Sequence, residues 1–168
     1  MPSEEPTQHS DNANIVVRSA SLGDVAVVSA ITDAAYSKWI PRIGRKPEPM
    51  TVDYKEMISK HSVHVLLVKD KPADVLVLKH DVNQTLIWSV AVCPDYQGKR
   101  LGLHLLRLAE QEAHARGFRS IRLYTNSLLT ENIALYMWLG YEETRREPFR
   151  GSTLVHMTKS LSLRLIST

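Results

Sequence analysis

The sequence predicts an α/β domain built on one mixed, mostly antiparallel sheet with helices on both faces. Short β-branched-rich runs are separated by stretches of helical apolar spacing, in the order β-α-α-β-β-β-α-β-α-β-β. Three consecutive strand runs point to hairpins. The unit 85–92, 99–116 and 118–124 points to one parallel, right-handed crossover within the same sheet. A length of 168 residues suits one domain. It is expected over 14–160, with a disordered tail at 1–13 and a C-terminal tail at 161–168.

The elements follow in order. Ile15-Val16-Val17-Arg18 reads as a short strand. Ser21-Leu-Gly-Asp24 resembles a capping box with Asp in place of Glu. Val25, Val28, Ile31 and Ala35 then carry a first helix to about Ser37. Pro41, Gly44, Pro47 and Pro49 break the chain into a loop, and Thr51 or Asp53 starts a second short helix. The runs 61–69 and 73–79 form a hairpin turning through Asp70-Lys71-Pro72. Thr85 to Val92 is a third strand, closed by Pro94. Leu101, Leu105, Leu108 and Ala109 mark a helix over 99–116 that Gly117 stops. A strand at 118–124, a helix at 130–139 ended by Gly140, and strands at 141–146 and 153–159 complete the set.

Composition excludes several function classes. Apolar residues make up 43% and charged residues 23%, ordinary globular values. The one cysteine, Cys93, permits no internal disulfide and no cysteine-based zinc site. The seven histidines lack ligand spacing, so no metal is expected. Apolar runs are far too short to span a bilayer, and Met1 to Asn14 is polar with no apolar core of a signal peptide. A cytoplasmic setting is therefore expected, with no membrane partner. The pI near 9.0 accompanies a net charge of only +3, and basic residues form no stripe, so no nucleic-acid partner is expected. A local excess is more informative. Lys99, Arg100, Arg107, Arg116, Arg119 and Arg122 stand against Glu110 and Glu112 alone, which favours a phosphate-bearing ligand.

The stretch Val90-Ala91-Val92-Cys93-Pro94-Asp95-Tyr96-Gln97-Gly98-Lys99-Arg100-Leu101-Gly102 joins a buried strand to a helix start. Binding a diphosphate requires several donors at once, and the free amides and dipole of a first helical turn supply them. Gly98 and Gly102 allow close backbone approach, while Lys99 and Arg100 add charge. The segment has neither G-x-G-x-x-G nor G-x-x-x-x-G-K-[ST].

These residues resemble motif A of the GNAT superfamily of N-acetyltransferases, Q/R-x-x-G-x-G/A after a V-x-P strand end. Gln97, Gly102 and Val92-Cys93-Pro94 match; Arg100 stands where the family has its middle glycine. Helical φ/ψ would admit a Cβ there. A second block, Asn132, Tyr136, Gly140 and Tyr141, is similar to the family's N-x-x-x-Y-x-x-x-G-F/Y. The resemblance spans residues 15 to 159 and implies acetyl-CoA as co-substrate. It implies that the pantetheine arm pairs with main chain at Val90, Ala91 and Val92. The phosphates would sit at Gln97, Gly98, Lys99, Arg100, Leu101 and Gly102, with Asn132 beside the arm. It further implies that Tyr136 protonates the leaving thiolate, and a phenol of pKa ~10 stays protonated at neutral pH.

The base for the acceptor ammonium is harder to place. Strand 85–92 has no carboxylate; Ser89 can orient a water, and His80 or Asp81 can approach from the hairpin. For the acceptor, Tyr36 and Trp39 can wall a pocket, and Arg42, Arg45 and Lys46 can hold an anionic group. The expected function is acetyl transfer to a primary amine of a small molecule or peptide by direct attack, with a homodimer as a further expectation. An acetyl-Cys93 intermediate is an alternative route. A catalytically weak acyl-CoA-binding or regulatory module of the same fold is the alternative function.

Overall fold

The computed structural model describes residues 14–161; the tail expected at 1–13, and all but Leu161 of the one expected at 161–168, lie outside the described residues. The β-strands are β1 (Ile15–Ser19), β2 (Ser62–Val68), β3 (Lys71–His80), β4 (Thr85–Val92), β5 (Ser120–Asn126), β6 (Glu142–Phe149) and β7 (Ser152–Ser160). They form one sheet in the order β1-β2-β3-β4-β5-β7-β6. Only β4 and β5 are parallel; every other pair is antiparallel. The helices are α1 (Val25–Tyr36), α2 (Ile40–Ile43), α3 (Tyr54–Lys60), α4 (Leu101–Ala115) and α5 (Thr130–Trp138).

Local chemistry explains the boundaries. The Ser21 amide donates to the Asp24 carboxylate at 2.8 Å, closing the box ahead of α1. Arg18 and the Ser21 amide hold that carboxyl well below the usual range. Asp53 caps α3 by accepting the Lys55 amide at 2.9 Å. Gly117 and Gly140 end α4 and α5 in left-handed conformations, at φ 84° and 100°.

The first hairpin corrects the sequence reading by two residues. Lys69 and Asp70, both at positive φ (50° and 67°), form the turn, while Lys71 and Pro72 already belong to β3. This two-residue connection matches the strands' twist. Pro72 is tolerated because the register slips beside it, leaving Ala73 outside the ladder. The short α2 and its flanking 3-10 turns, Ser37–Trp39 and Glu48–Met50, occupy what reads as an irregular loop.

Helices cover both sheet faces, as expected. On one face α1 and α3 bury Val28, Ile31, Tyr54 and Met57 against Val65, Val75, Val77 and Trp88. On the other, α4 buries Leu101, Leu105, Leu106 and Ala109 against Leu76, Leu78, Ile121, Leu123 and Met157. Leu105 has no exposed surface, and its truncation to alanine would cost about 2–5 kcal/mol. No helix among the described residues is long and apolar enough to cross a membrane.

Candidate active site

The site exists because β4 and β5 stay paired for only three residues. Thr85, Leu86 and Ile87 lie opposite Ile121, Arg122 and Leu123, after which the strands part. A bulge in β4 accompanies the parting: Val77 faces Ser89 while Leu78 faces Ile87, so Trp88 is extra. The alternation shifts across it. Leu86, Trp88 and Ala91 share the α1 face, and Val90 turns to the α4 face. The Val90 and Val92 carbonyls accept side-chain donors, Tyr36 Oη at 3.3 Å and Gln97 Nε2 at 3.1 Å, whereas the Cys93 amide donates to Ala73 on β3. The main chain of Val90 and Val92 therefore faces the cleft, along an edge that no strand pairs with. The resulting cavity is about 510 Å³, within the usual range for small-molecule sites.

One end of the cavity is the turn into α4. Pro94–Tyr96 is a 3-10 turn; Gly98 and Arg100 follow at φ 79° and 61°, and no side chain caps the helix. The first-turn amides of this 15-residue helix are thus left for a ligand. Arg100 is not in the helical region that the sequence reading allowed it. It is left-handed, the conformation glycine adopts freely and other residues adopt at a cost of about 1–2 kcal/mol. A Cβ at Gly98 would meet nothing within 4 Å, and one at Gly102 would touch Val92 at 3.5 Å. Gln97 is spent within the protein: Lys38 Nζ donates to its Oε1 at 3.0 Å. Gln97, Gly98, Arg100, Leu101 and Gly102 line the cavity; Lys99 lies instead over the Tyr96 ring, 5.4 Å from its centroid.

Midway sit the tyrosines. Tyr136 on α5 and Tyr36 at the end of α1 both line the cavity, as do Asn132, Ser89, Val90 and Val92. Ala91, expected beside the arm, is fully buried on the α1 side opposite Val75 and does not line the cavity. Burial, and then the nearby Tyr36, push the Tyr136 phenol well above its ordinary pKa. Its ring packs edge-on against Tyr141 at 5.8 Å. Tyr36 Oη and Ser89 Oγ are 3.1 Å apart, so the Ser89 hydroxyl is shared with Tyr36.

The segment around α2 forms another wall of the cleft. Arg42 does not line it, contrary to expectation. Its Nη1 pairs with both Glu131 oxygens at 2.7 Å, tying α2 to the start of α5. Arg45 does line it, but its guanidinium donates to the carbonyls of Phe149, at 3.0 Å, and Arg150 in the β6–β7 turn. Trp39 forms part of the wall, with Lys38 and Arg42 stacked on its ring at 4.7 and 5.0 Å. His80 and Asp81 are excluded as acceptor-side bases. They lie at the end of β3 and in the turn after it, with His80 opposite Thr85 and joining His64 around Glu112. The carboxylate that lines the cavity is Glu48, whose Oε2 accepts the Tyr124 hydroxyl at 3.2 Å. The sequence offered one signal for it, an acidic residue clamped between Pro47 and Pro49, overshadowed by the neighbouring arginines. Among the described residues no group of acidic, cysteine or histidine side chains has the geometry of a metal site.

Comparison with known proteins agrees with this geometry. The family model described as "Acetyltransferase (GNAT) family" matches residues 31–141. Among solved structures, the chain is similar to a GCN5-related N-acetyltransferase from Rhodopseudomonas palustris. That match has TM-score 0.71 and 23% identity, covering 91% of this chain and 99% of the other. It is also similar to the ribosomal-protein-S18-alanine N-acetyltransferase of Escherichia coli (TM-score 0.67, 20% identity, coverage 89% and 95%). A third is a GNAT family acetyltransferase from Elizabethkingia anophelis with acetyl-CoA bound (TM-score 0.65, 15% identity, coverage 89% and 100%). No curated protein sequence matches. A parted β4–β5 pair, an uncapped helix start at its mouth and a family match over those same elements lead to one conclusion: the chain belongs to the GNAT family and is an acetyl-CoA-dependent acyltransferase.

Proposed function

We propose that the protein moves the acetyl group of acetyl-CoA onto the primary amine of a small molecule or short peptide by direct attack in a ternary complex. The observation carrying this is the placement of the Tyr136 phenol in the same cleft as the free edge of Val90 and Val92 and the uncapped start of α4.

The residues fit acetyl-CoA in chemistry as well as shape. Amides at the start of α4 offer donors to the diphosphate, and Arg100 lends a positive charge. Val90 and Val92 present main chain to the amides of the pantetheine arm, and Asn132 lies alongside. Tyr136 serves as the acid. Its raised pKa keeps it protonated, and the same burial makes a departing thiolate more basic, so proton transfer stays matched. Tyr36 orders the edge by bonding both Ser89 and the Val90 carbonyl. Cys93 follows the edge with no histidine bonded to it among the described residues, so a covalent acetyl-cysteine has nothing to activate it.

The segment around α2 favours compact acceptors over folded protein termini, because Arg42 and Arg45 pin it to α5 and to the β6–β7 turn. Tyr136→Phe is expected to lower kcat by about 10²-fold or more, while calorimetric affinity for acetyl-CoA stays within about twofold. An unchanged kcat would remove Tyr136 from the acid role. Tight acetyl-CoA binding with no turnover of any amine would favour the acyl-CoA-binding module instead.

A further inference from the structure

Direct attack requires a neutral amine, yet a primary amine near neutral pH is almost wholly ammonium. Something in the acceptor half of the cleft has to take that proton. β4, the strand that faces the reacting carbonyl in this reading, carries only Ser89, and that hydroxyl is shared with Tyr36. Arg45 and Lys46 are cationic and repel an ammonium.

We propose that Glu48 holds the acceptor ammonium and receives its proton, with Tyr124 orienting the carboxylate; this rests on the acetyl-transfer reading above. Three observations carry it. Glu48 is the only carboxylate among the residues that line the cavity. Its backbone is fixed rather than loose. Glu48–Met50 is a 3-10 turn in which Met50 donates to Pro47 and Thr51 to Glu48, both at 2.9 Å, and the Tyr54 hydroxyl donates to the Pro49 carbonyl. Third, its Oε2 is oriented by Tyr124 Oη at 3.2 Å, whereas Oε1 has no protein donor among the described residues.

Position strengthens the assignment. Tyr124 is the first β5 residue beyond the last β4–β5 pair, so the Glu48–Tyr124 bond sits where the strands part. Trp88, the extra residue of the β4 bulge, lines the same cavity, as do Trp39 and Phe149. Their rings already carry side-chain cations, Lys79 over Trp88, Lys38 and Arg42 over Trp39, and Arg45 and Arg150 over Phe149, so holding the acceptor ammonium falls to the Glu48 carboxylate. Burial, and next the adjacent Glu48, raise the Tyr124 phenol's pKa, keeping it a donor to the carboxylate.

The reaction balances as follows. The ammonium gives one proton to Glu48, which passes it to solvent. The free amine forms a C–N bond at the thioester carbonyl, and the C–S bond breaks with its electron pair leaving on sulfur. The sulfur takes the Tyr136 proton, and Tyr136 is restored by the second proton that the nitrogen loses. The products are the amide, free CoA thiol and one proton in solution.

The test uses the full chain and a panel of free amines, including 2-phenylethylamine and short peptides, with CoA thiol release as the assay. For the amine the parent enzyme acetylates fastest, Glu48→Gln should lower kcat/KM at least about 10²-fold. Calorimetric affinity for that amine should weaken, and affinity for acetyl-CoA should hold. The pH profile is the sharper readout. The Gln variant should gain rate with pH up to the amine's own pKa, while the parent levels off earlier and Glu48→Asp keeps the parent's profile at reduced rate. A Gln variant with parental kcat/KM and profile overturns the role of Glu48 and leaves acetyl transfer standing. A parent enzyme that binds acetyl-CoA but acetylates no amine overturns the reading beneath it.

Discussion

Arg100 holds a left-handed backbone at φ 61° in the turn before α4, the turn proposed to receive the diphosphate, where glycine would be unstrained. Its charge and its strain can be separated by two substitutions. Arg100→Ala keeps the left-handed cost and deletes the guanidinium, so acetyl-CoA affinity should fall by about threefold to tenfold with little change in thermal stability. Arg100→Gly deletes both. The same affinity loss should come with a gain of up to about 1 kcal/mol, tempered by glycine's freedom in the unfolded chain. Calorimetry and thermal melts of the two variants check this; equal affinity in all three proteins would show that the guanidinium makes no contact with the co-substrate. This residue marks a limit of sequence reading as well. Gln97 and Gly102 give the motif away, but an arginine at 100 gives no sign of the left-handed backbone it adopts.

Asp74 is a second residue with a measurable cost. It is fully buried on β3 opposite Val92, and neither carboxylate oxygen has a hydrogen-bond partner among the described residues. Desolvation raises its pKa to about 7. The folded state therefore binds this proton more tightly than the unfolded one, and stability drains away as pH climbs from about 4 to about 7. Asp74→Asn cannot ionise, so its melting temperature should pull ahead of the parent's by roughly 5 °C or more between pH 4.5 and pH 8. A gap independent of pH would contradict this.

At the scale of elements, the strap from Ser37 to Met50 does what no single residue of it does. Arg42 ties it to Glu131 on α5, and Arg45 ties it to the β6–β7 turn, fixing the wall of the cavity that carries Glu48. Arg45→Ala should raise KM for small amines by about fivefold or more and leave acetyl-CoA affinity unchanged, because Arg45 bonds the β6–β7 turn and not the turn before α4 proposed to hold the diphosphate. Steady-state kinetics at saturating acetyl-CoA would check it; an unchanged KM would mean that the strap does not shape the acceptor pocket. The regular elements were legible because their periodicity is strong: β4 was read at Thr85–Val92, and α4 and α5 to within two residues. The strap was not. Its prolines and glycine signal a loop, but its two arginines find partners 89 and 104 residues away, and no local pattern encodes such pairings. That is why Arg42, expected at the pocket, turned out to be a tether, and why Glu48 escaped notice.

At the scale of the molecule, one sheet separates two apolar layers, and the cleft opens where a parallel pair loses its ladder. The order of elements conveys the mixed sheet and the single crossover. It does not convey the parting of β4 from β5, which follows from the Trp88 bulge and from β5 continuing along β7 to Asn126. Everything proposed for function depends on that opening receiving acetyl-CoA. The most direct measurement is a crystal structure of the full chain with acetyl-CoA. The arm is expected along the main chain of Val90 and Val92, the diphosphate against the amides at the start of α4, and the thioester between Tyr136 and Glu48. Acetyl-CoA bound elsewhere, or its sulfur turned away from Tyr136, would contradict the account.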